Sequence, residues 1–433
     1  MGQAPNNNEG DNQVRIQQPV KLAAMAIAAG LAIGAAAQAQ ETYKLAYIDP
    51  LSGPFANVGE LMLSHLQYAV EDINAKGGVL GGIPLEMLQF DSKLSAQESQ
   101  SVLQAAIDQG ARAVITGGSG SSVVTSLVQA VERWNRRNPG KELLVLNHSS
   151  IDPELTGKNC SFWHFQTEAS TAMKMQALAN VIAQMPDVEK IFLLNQDYAH
   201  GRQWASYGRA MVGQARPDIE FTGEMLHPIG QVKDFAPYVG NAAQTGATAL
   251  ITGNWGQDLT LLMRAAGDAG RDWHFFNHSA GSMPGTVSAV SMIQKGKLTW
   301  VAEWHPGQAN TEAAHGLAKA YNARTGKDFL APRIDFTPRL LAAAIDRAGS
   351  MASLEVAHAL EGLSYDSVIG PVTMRAADHQ LLLPQVVNTV APVDGDKVTV
   401  GWEGTNYGFR TDGMFAGEVL VQEPQCDMKR PAS

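Results

Sequence analysis

The sequence is poor in cysteine, in charged residues and in long apolar runs. Of its 433 residues, two are cysteine and 17% are charged, and the formal net charge is −10. An acidic chain without a cluster of basic residues is not typical of a protein that binds nucleic acid or an anionic membrane surface. The hydrophobic content of 45% is that of a folded globular protein, and the length favours two or more lobes over one small core.

Several motifs that carry chemistry are also absent. The sequence has no phosphate-binding Gly-x-x-x-x-Gly-Lys-Ser/Thr loop, no Gly-x-Gly-x-x-Gly run for a dinucleotide and no Gly-x-Ser-x-Gly nucleophile elbow. His274 and His278 are four residues apart, but on a strand they would lie roughly 13 Å from each other, too far to share a metal. His148 precedes Ser149 without an evident acid partner, so we interpret it as a structural histidine. We therefore expect no cofactor, no metal and no enzyme activity.

The one long apolar run lies near the N-terminus. Residues 22–37 follow Arg15 and Lys21, and Ala37-Gln38-Ala39 has the small-x-small pattern of a signal peptidase site. The run is shorter than a comfortable membrane span. It predicts a secretory signal peptide over residues 1–39 and an exported mature protein. A start at Met25 is an alternative, although it would leave no positively charged residues before the apolar run.

The two cysteines both lie beyond the predicted signal peptide. In an oxidising compartment an isolated pair favours a disulfide over two free thiols. We therefore predict a bond between Cys160 and Cys426, which would fix the C-terminal tail to the body of the protein.

The rest of the chain alternates strands with helices. This rhythm predicts right-handed crossovers and parallel sheets, and its restart with the strand 162–166 predicts two Rossmann-like α/β lobes. We expect lobe 1 to hold residues 42–165 and 303–385, and lobe 2 to hold residues 166–302 and 386–433. The expected strands are 44–48, 85–90, 113–116, 143–146, 162–166, 190–195, 247–252, 273–276, 368–374, 386–393 and 397–402, with late helices at 312–322 and 338–348.

A small-residue turn, residues 117–122, follows the third strand. It carries the hydroxyls of Ser119, Ser121 and Ser122 and leads into a helix whose apolar residues recur at a helical period. The first amides of a helix lack partners within the helix and lie at the positive end of its dipole. The turn therefore predicts a site for a carboxylate or phosphate. The alternative is that a serine simply caps the helix.

Polar loops also follow other strands of the two predicted sheets. The carboxyl ends of parallel strands meet at one edge of a sheet, where ligands bind in open α/β folds. We therefore expect these loops to face one cleft with the serine turn. For His200 and Trp255 the alternative is packing between the lobes. The loops carry Ser149 and Ser150, residues 198–200, Asn254 and Trp255, and residues 277–279.

Four short segments resemble the branched-chain amino-acid type of periplasmic solute-binding protein. The resemblance implies a type I periplasmic binding protein fold, in which three crossovers join two lobes as a hinge. It also implies a periplasmic monomer that binds a small carboxylate ligand and delivers it to the permease subunits of an ABC importer. The segments are Leu51-Ser52-Gly53-Pro54, Asn74-Ala75-Lys76-Gly77-Gly78, Asp152-Pro153-Glu154-Leu155-Thr156 and Ile369-Gly370-Pro371-Val372.

The resemblance also implies a set of ligand-binding residues. The turn after the third strand would bind the ligand carboxylate, the loop after the fourth strand would add backbone and hydroxyl contacts, and side chains of lobe 2 would cover the ligand. The matching positions are Ser119, Gly120, Ser121, Ser149, Ser150, His200, Trp255 and Ser279.

The sequence departs from the amino-acid binders at the ammonium site. Those proteins use a threonine hydroxyl and a glutamate, and the matching positions here are Ile151 and Ser279. A buried ammonium without a carboxylate costs several kcal/mol. We therefore expect an aromatic or other organic acid, with branched-chain amino acids as a close competitor. The alternative is that Asp197 or Asp258 substitutes for the missing glutamate. The alternative functions are a periplasmic sensory or regulatory binding protein and a secreted α/β hydrolase.

Overall fold

The computed structural model describes residues 1–2, 41–292, 297–329 and 331–431. The predicted signal peptide therefore lies outside the described residues, apart from Met1 and Gly2. From Glu41 onward the chain forms one compact unit. In the described ranges no helix is both long enough and apolar enough to cross a membrane.

The first sheet has five parallel strands in the order β2-β1-β3-β4-β5. Every residue of β3 and β4 is buried, because helices cover both faces of the sheet. This sheet and its helices form lobe 1. The strands are β1 Tyr43–Asp49, β2 Leu85–Asp91, β3 Ala113–Thr116, β4 Leu144–Asn147 and β5 His164–Gln166, and the helices between them are α1 Ala56–Ala75, α2 Ala96–Asp108 and α3 Ser121–Arg137.

The second sheet has seven strands in the order β15-β14-β10-β9-β8-β6-β7. The five strands from β10 to β7 are parallel, as predicted, and β14 and β15 are antiparallel additions at one edge. The strands are β6 Lys190–Gln196, β7 Glu220–His227, β8 Ala249–Ile251, β9 His274–Asn277, β10 Lys297–Ala302, β14 Gln385–Pro392 and β15 Tyr407–Phe415.

The helices that accompany the second sheet complete lobe 2. They are α4 Thr171–Ile182, α5 Ala199–Tyr207, α6 Gly213–Ala215, α7 Ala236–Gln244, α8 Gly256–Asp268, α9 Thr286–Met292 and the short α13 Gly417–Leu420. Helix α4 is buried on nearly all sides, because it lies against the sheet, α5 and the C-terminal segment.

The remaining elements add to lobe 1. Helix α11 packs against α1 and α12, and a small antiparallel sheet of three strands lies beside β5. Helix α11 begins at Pro332, six residues before the predicted start at Pro338, because proline is favoured in the first turn of a helix. The elements are α10 Glu312–Thr325, α11 Pro332–Ala348, α12 Ser353–Leu360, β11 Ser364–Ser367, β12 Gly370–Met374 and β13 Leu381–Leu382.

One predicted strand is absent from the described structure, and several observed strands were not predicted. The segment 397–402 is not a strand, because Asp394 Oδ1 accepts hydrogen bonds from the amides of residues 396–398 and holds the backbone in a turn. The predicted strand 368–374 corresponds to β12, Gly370–Met374, which pairs with β11 in a hairpin. Strand β7 was missed, because it is a half-exposed edge strand without a continuous apolar run.

The chain passes between the two lobes three times: after β5, after β10 and before β14. The exact residue boundaries of the lobes remain a prediction. The predicted disulfide is confirmed: Cys160 and Cys426 are bonded, with Cα atoms 5.6 Å apart and a sequence separation of 266 residues.

Candidate functional site

A cavity lies between the lobes, at the carboxyl ends of the strands of both sheets. The structure brings most of the predicted ligand-binding residues together there. Apolar side chains of Met62, Ile151 and Met283 complete the lining. The predicted residues in the lining are Gly120, Ser121, Ser149, Ser150, His200, Trp255 and Ser279.

Ser119 does not line this cavity. Its hydroxyl donates to Asp49 Oδ1 at 2.9 Å and lies 2.7 Å from the hydroxyl of Ser92. The same carboxylate of Asp49 accepts the amides of Gly117, Gly118 and Ser119 at 2.9–3.2 Å. The amides at the start of the turn are therefore bound to an internal carboxylate, and the expected ligand contact of Ser119 is replaced by a structural one.

The second half of the turn is different. Gly120 adopts a φ of +82°, which glycine tolerates, and it is the N-cap of α3 with no side-chain cap hydrogen bond. The alternative that a serine caps α3 is therefore wrong. In the described residues the amides of Ser121 and Ser122 have no hydrogen-bond partner. These amides lie at the positive end of a helix of 17 residues, beside the cavity.

The loop after β4 lies directly against this turn. A Cβ atom at Gly117 would be 2.4 Å from the backbone nitrogen of Ser149, so only glycine permits the approach. Asn147 fixes the loop: its Oδ1 accepts the amide of Ser150 at 2.8 Å, and its Nδ2 donates to the carbonyl of Ser150 at 2.9 Å. The hydroxyl of Ser150 is buried without a partner among the described residues.

Hydrogen bonds connect three side chains in a line from the turn to the cavity. His148 Nε2 lies 3.1 Å from Asp49 Oδ2, and His148 Nδ1 lies 2.8 Å from the hydroxyl of Ser149. His148 and Asp49 are both fully buried. The acid partner that the sequence did not reveal for His148 is therefore Asp49, 99 residues away.

Aromatic side chains of lobe 2 close the other side of the cavity. The indole of Trp255 donates to the hydroxyl of Tyr198 at 2.8 Å. Trp255 also packs against Phe55 of lobe 1, with ring centroids 4.3 Å apart. Trp255 thus combines the two roles that the sequence left open, since it lines the cavity and packs between the lobes.

Two buried histidines of lobe 2 contact each other beside the cavity. The rings of His200 and His278 have centroids 4.4 Å apart. Burial lowers the pKa of His200 to about 4, and burial together with the neighbouring His200 and Lys174 holds the pKa of His278 well below its usual value. Both rings are therefore neutral near pH 7. The hydroxyl of the adjacent Ser279 is buried without a partner in the described part of the chain.

Four charged side chains form a buried network at the back of the cavity. Arg333 Nε lies 2.6 Å from a carboxylate oxygen of Glu168, and Nη1 donates to Glu303 at 2.8 Å. Lys174 lies 3.3 Å from Glu168. Each of these residues is 1–2% exposed. The network has no net charge, and Glu168 and Arg333 line the cavity.

This network was not predicted from the sequence. A charged residue inside an apolar run was the available signal, as in Met173-Lys174-Met175 and in Ala331-Pro332-Arg333-Ile334. Such a residue is almost never buried unless it is paired. The pairing itself could not be inferred, because the partners are far apart in the sequence.

Comparison with known proteins agrees with this architecture. The family model described as "Periplasmic binding protein" matches residues 42–393. The Leu/Ile/Val-binding protein homolog 4 of Brucella abortus (strain 2308) is 31% identical over 429 residues, covering 97% of this chain and 99% of that protein.

Solved structures show the same fold. The closed conformation of a leucine-, isoleucine-, valine-, threonine- and alanine-binding protein from Brucella ovis has a TM-score of 0.80 at 30% identity, covering 90% of this chain and 100% of the other. A benzoate complex of a solute-binding protein from R. palustris has a TM-score of 0.72 at 15% identity, covering 89% and 99%. The chain therefore belongs to the periplasmic binding protein family and is a homologue of the Leu/Ile/Val-binding proteins.

Proposed function

We propose that this protein is the solute-binding component of an ABC importer and that it binds a small carboxylate in the cavity between its lobes. The observation that carries the proposal is the amino end of α3, where the unpartnered amides of Ser121 and Ser122 lie beside the cavity. Such a helix end favours an anion. The unpartnered hydroxyl of Ser150 adds a donor on the neighbouring loop.

The walls of the cavity suit the rest of such a ligand. Met62, Ile151, Met283 and Trp255 provide apolar and aromatic surface. Ligand sites typically combine such surface with a few polar groups that fix the orientation of the ligand. The ligand names of the relatives include both amino acids and benzoate.

The charges around the cavity favour an acid without an amino group. Among the described lining residues the charged side chains are Glu168 and Arg333, and they are bound to each other. The ammonium of an amino acid would therefore find no unpaired carboxylate in the lining, at a cost of several kcal/mol. We propose an aromatic or other organic acid as ligand, with branched-chain amino acids as the competitor.

Two serine substitutions test the carboxylate site. Ser121→Ala and Ser150→Ala should each weaken a carboxylate ligand by roughly 1–3 kcal/mol in calorimetry. The ligand is first found with a thermal-shift panel of aliphatic amino acids and of benzoate- and cinnamate-type acids. Ser122→Ala is the matched control, since its hydroxyl is exposed and outside the lining. Unchanged affinity in both variants would reject this site, and tight binding of leucine would reject the preference for an acid without an amino group.

One observation favours a second candidate, hydrolysis. Ser149, His148 and Asp49 are connected in the order of a catalytic triad. Against this role, Asp49 already accepts the amides of the turn, which makes its carboxylate part of the local structure. Incubation with p-nitrophenyl esters decides the matter: turnover that disappears in Ser149→Ala would establish a hydrolase, and no turnover would leave binding as the function.

A further inference from the structure

We propose that the ligand carries a hydroxyl group beside its carboxylate, and that this hydroxyl donates a hydrogen bond to Ser149 Oγ. The inference rests on the proposed function, because it assumes that the carboxylate is bound at the amino end of α3. Ser149 lines the same cavity as Ser121 of that helix end, and its backbone lies against the start of the turn at Gly117.

The direction of the hydrogen bond between Ser149 and His148 follows from the position of Asp49. The carboxylate of Asp49 accepts three backbone amides, so it acts as an acceptor and His148 Nε2 must carry the proton between them. In the neutral form of His148, the tautomer with its proton on Nε2 leaves Nδ1 without a proton. In that form Nδ1 accepts the hydrogen bond from Ser149, and the hydroxyl proton of Ser149 is used inside the protein.

The oxygen of Ser149 keeps its lone pairs for other donors. Arg333 Nη2 donates to it over a long distance, 3.4 Å. A hydroxyl oxygen has two lone pairs, so one remains free. Since Ser149 lines the cavity, a ligand group that contacts this oxygen must donate a hydrogen bond to it.

His200 adds a second acceptor on lobe 2. Its Nε2 lies 3.1 Å from the carbonyl of Gly253, which can only accept, so Nε2 carries the proton. The neutral ring then has a bare Nδ1. This atom is buried and has no hydrogen-bond partner among the described residues, although His200 lines the cavity. Each lobe thus has a hydrogen-bond acceptor on a cavity residue, Ser149 Oγ in lobe 1 and His200 Nδ1 in lobe 2, and a ligand hydroxyl can donate to either.

The neighbouring charges distinguish a hydroxyl from an ammonium. Either group could donate to Ser149, but the Arg333 guanidinium lies against the same oxygen. The carboxylate of Glu168 is already bound to Arg333 and Lys174. A second cation here would be repelled by Arg333 without an unpaired carboxylate to offset it, whereas a neutral hydroxyl meets no such repulsion.

Matched ligands of two carbon skeletons test this inference by calorimetry. The aliphatic series is 4-methylpentanoate, 2-hydroxy-4-methylpentanoate and leucine, and the aromatic series is phenylacetate, mandelate and phenylglycine. In the series that binds, the hydroxy acid should bind roughly threefold to tenfold more tightly than the plain acid, as one added neutral hydrogen bond provides. The amino acid should bind more weakly than the hydroxy acid.

Variants of Ser149 connect the preference to this oxygen. In Ser149→Ala the ratio between the affinities of the hydroxy acid and the plain acid should fall to about one. Ser149→Thr should restore the ratio, and Ser122→Ala should leave it unchanged. Thermal melting of each variant checks that it is folded.

The outcomes separate the two proposals. If no carboxylate of either series binds, the proposed function fails and this inference fails with it. If carboxylates bind without a preference for the hydroxyl, or if Ser149→Ala weakens plain and hydroxy acids equally, the inference alone is overturned. Tighter binding of the amino acid than of the hydroxy acid also overturns it.

Discussion

Arg333 is buried between Glu168 and Glu303, at the point where the cavity meets two of the segments that connect the lobes. Its Nε also donates to the carbonyl of His148 at 2.9 Å. One side chain therefore links the loop after β4 to the start of α11. A ligand that touches Arg333 or Glu168 would also touch the connection between the lobes.

Removal of this guanidinium should destabilise the protein strongly. Arg333→Met leaves two buried carboxylates without their main partner, and we expect the free energy of unfolding to fall by about 3–5 kcal/mol in urea denaturation. Arg324→Met is the control, because the pair of Arg324 with Glu71 is half exposed and should change stability by about 1 kcal/mol or less. A loss at Arg333 no larger than that at Arg324 would contradict a structural role for the network.

At the scale of single residues, the sequence predicted which loops meet at the cavity. It did not predict which hydrogen-bonding atoms have no partner within the described part of the protein. Ser119 and Ser121 are two residues apart in a turn of similar chemistry, yet one hydroxyl binds Asp49 and the other residue lines the cavity. The difference depends on where β1 places the carboxylate of Asp49, which is a tertiary contact over 70 residues. A local pattern contains no information about such a contact.

Among the short elements, the turn Gly53–Phe55 between β1 and α1 makes the clearest contact between the lobes. The side chain of Phe55 is 1% exposed and packs on Trp255. A Cβ atom at Gly230 or Gly256 would lie within 3 Å of its ring, so the fit against lobe 2 depends on these glycines. If the lobes separate to admit a ligand, the ring of Phe55 becomes exposed to solvent.

Phe55→Ala should therefore weaken ligand binding by at least about tenfold, because the closed form loses buried apolar contact. Calorimetry measures the affinity, and circular dichroism measures the melting temperature. Phe90→Ala, in strand β2, serves as control and should affect stability more than affinity, since Phe90 lies outside the cavity lining. Equal losses of affinity in the two variants would show that Phe55 has no special role in closure.

The predicted elements were most accurate where apolar runs are continuous. Strands β3 and β4 are fully buried, and their short β-branched and leucine-rich runs have no other stable placement. The edge strands were less predictable, because exposed residues interrupt their pattern. Strands β7 and β15 are determined by their pairing with a neighbouring strand and not by a hydrophobic pattern in their own sequence.

For the whole molecule, the disulfide connects two distant parts of the chain. Cys160 lies between β4 and β5, and Cys426 lies in the segment after α13, on the other side of all three passages between the lobes. The segment around Cys426 has little regular structure of its own. The bond therefore holds this segment together with the ion pair of Arg430 with Glu361 and the buried side chain of Met428.

The double variant Cys160→Ser/Cys426→Ser should unfold at lower urea concentration, with a loss of about 2–5 kcal/mol, because the unfolded chain is no longer cross-linked over a long loop. Treatment of the unmodified protein with dithiothreitol should reproduce the loss. A double variant as stable as the disulfide-bonded protein would show that the tail is held by its other contacts.

Buried histidines should make the folded protein sensitive to acid. Burial lowers the pKa of His200 to about 4 and that of His164 and His274 to about 3, whereas the unfolded value is about 6.5. Below pH 6.5 the unfolded chain takes up protons that the folded chain cannot, so stability falls as the pH decreases toward these values. Each such histidine contributes about 1.4 kcal/mol per pH unit in that window.

Urea denaturation between pH 7.5 and pH 4.5 measures this loss. His200→Gln should reduce the slope of the unfolding free energy against pH by the amount that one histidine contributes. Above pH 7, where the histidine is neutral in both states, any change in stability should come from altered packing. A stability that stays constant from pH 6.5 to pH 4.5 would contradict the neutral state of these rings.

The carboxylate of Asp49 has one more consequence, which concerns the protein before any solute arrives. Because this side chain binds the amides at the start of the turn, the turn keeps its shape without an external anion. A solute then meets a receptor surface whose backbone needs no further ordering, and its binding energy is left for drawing the two halves together.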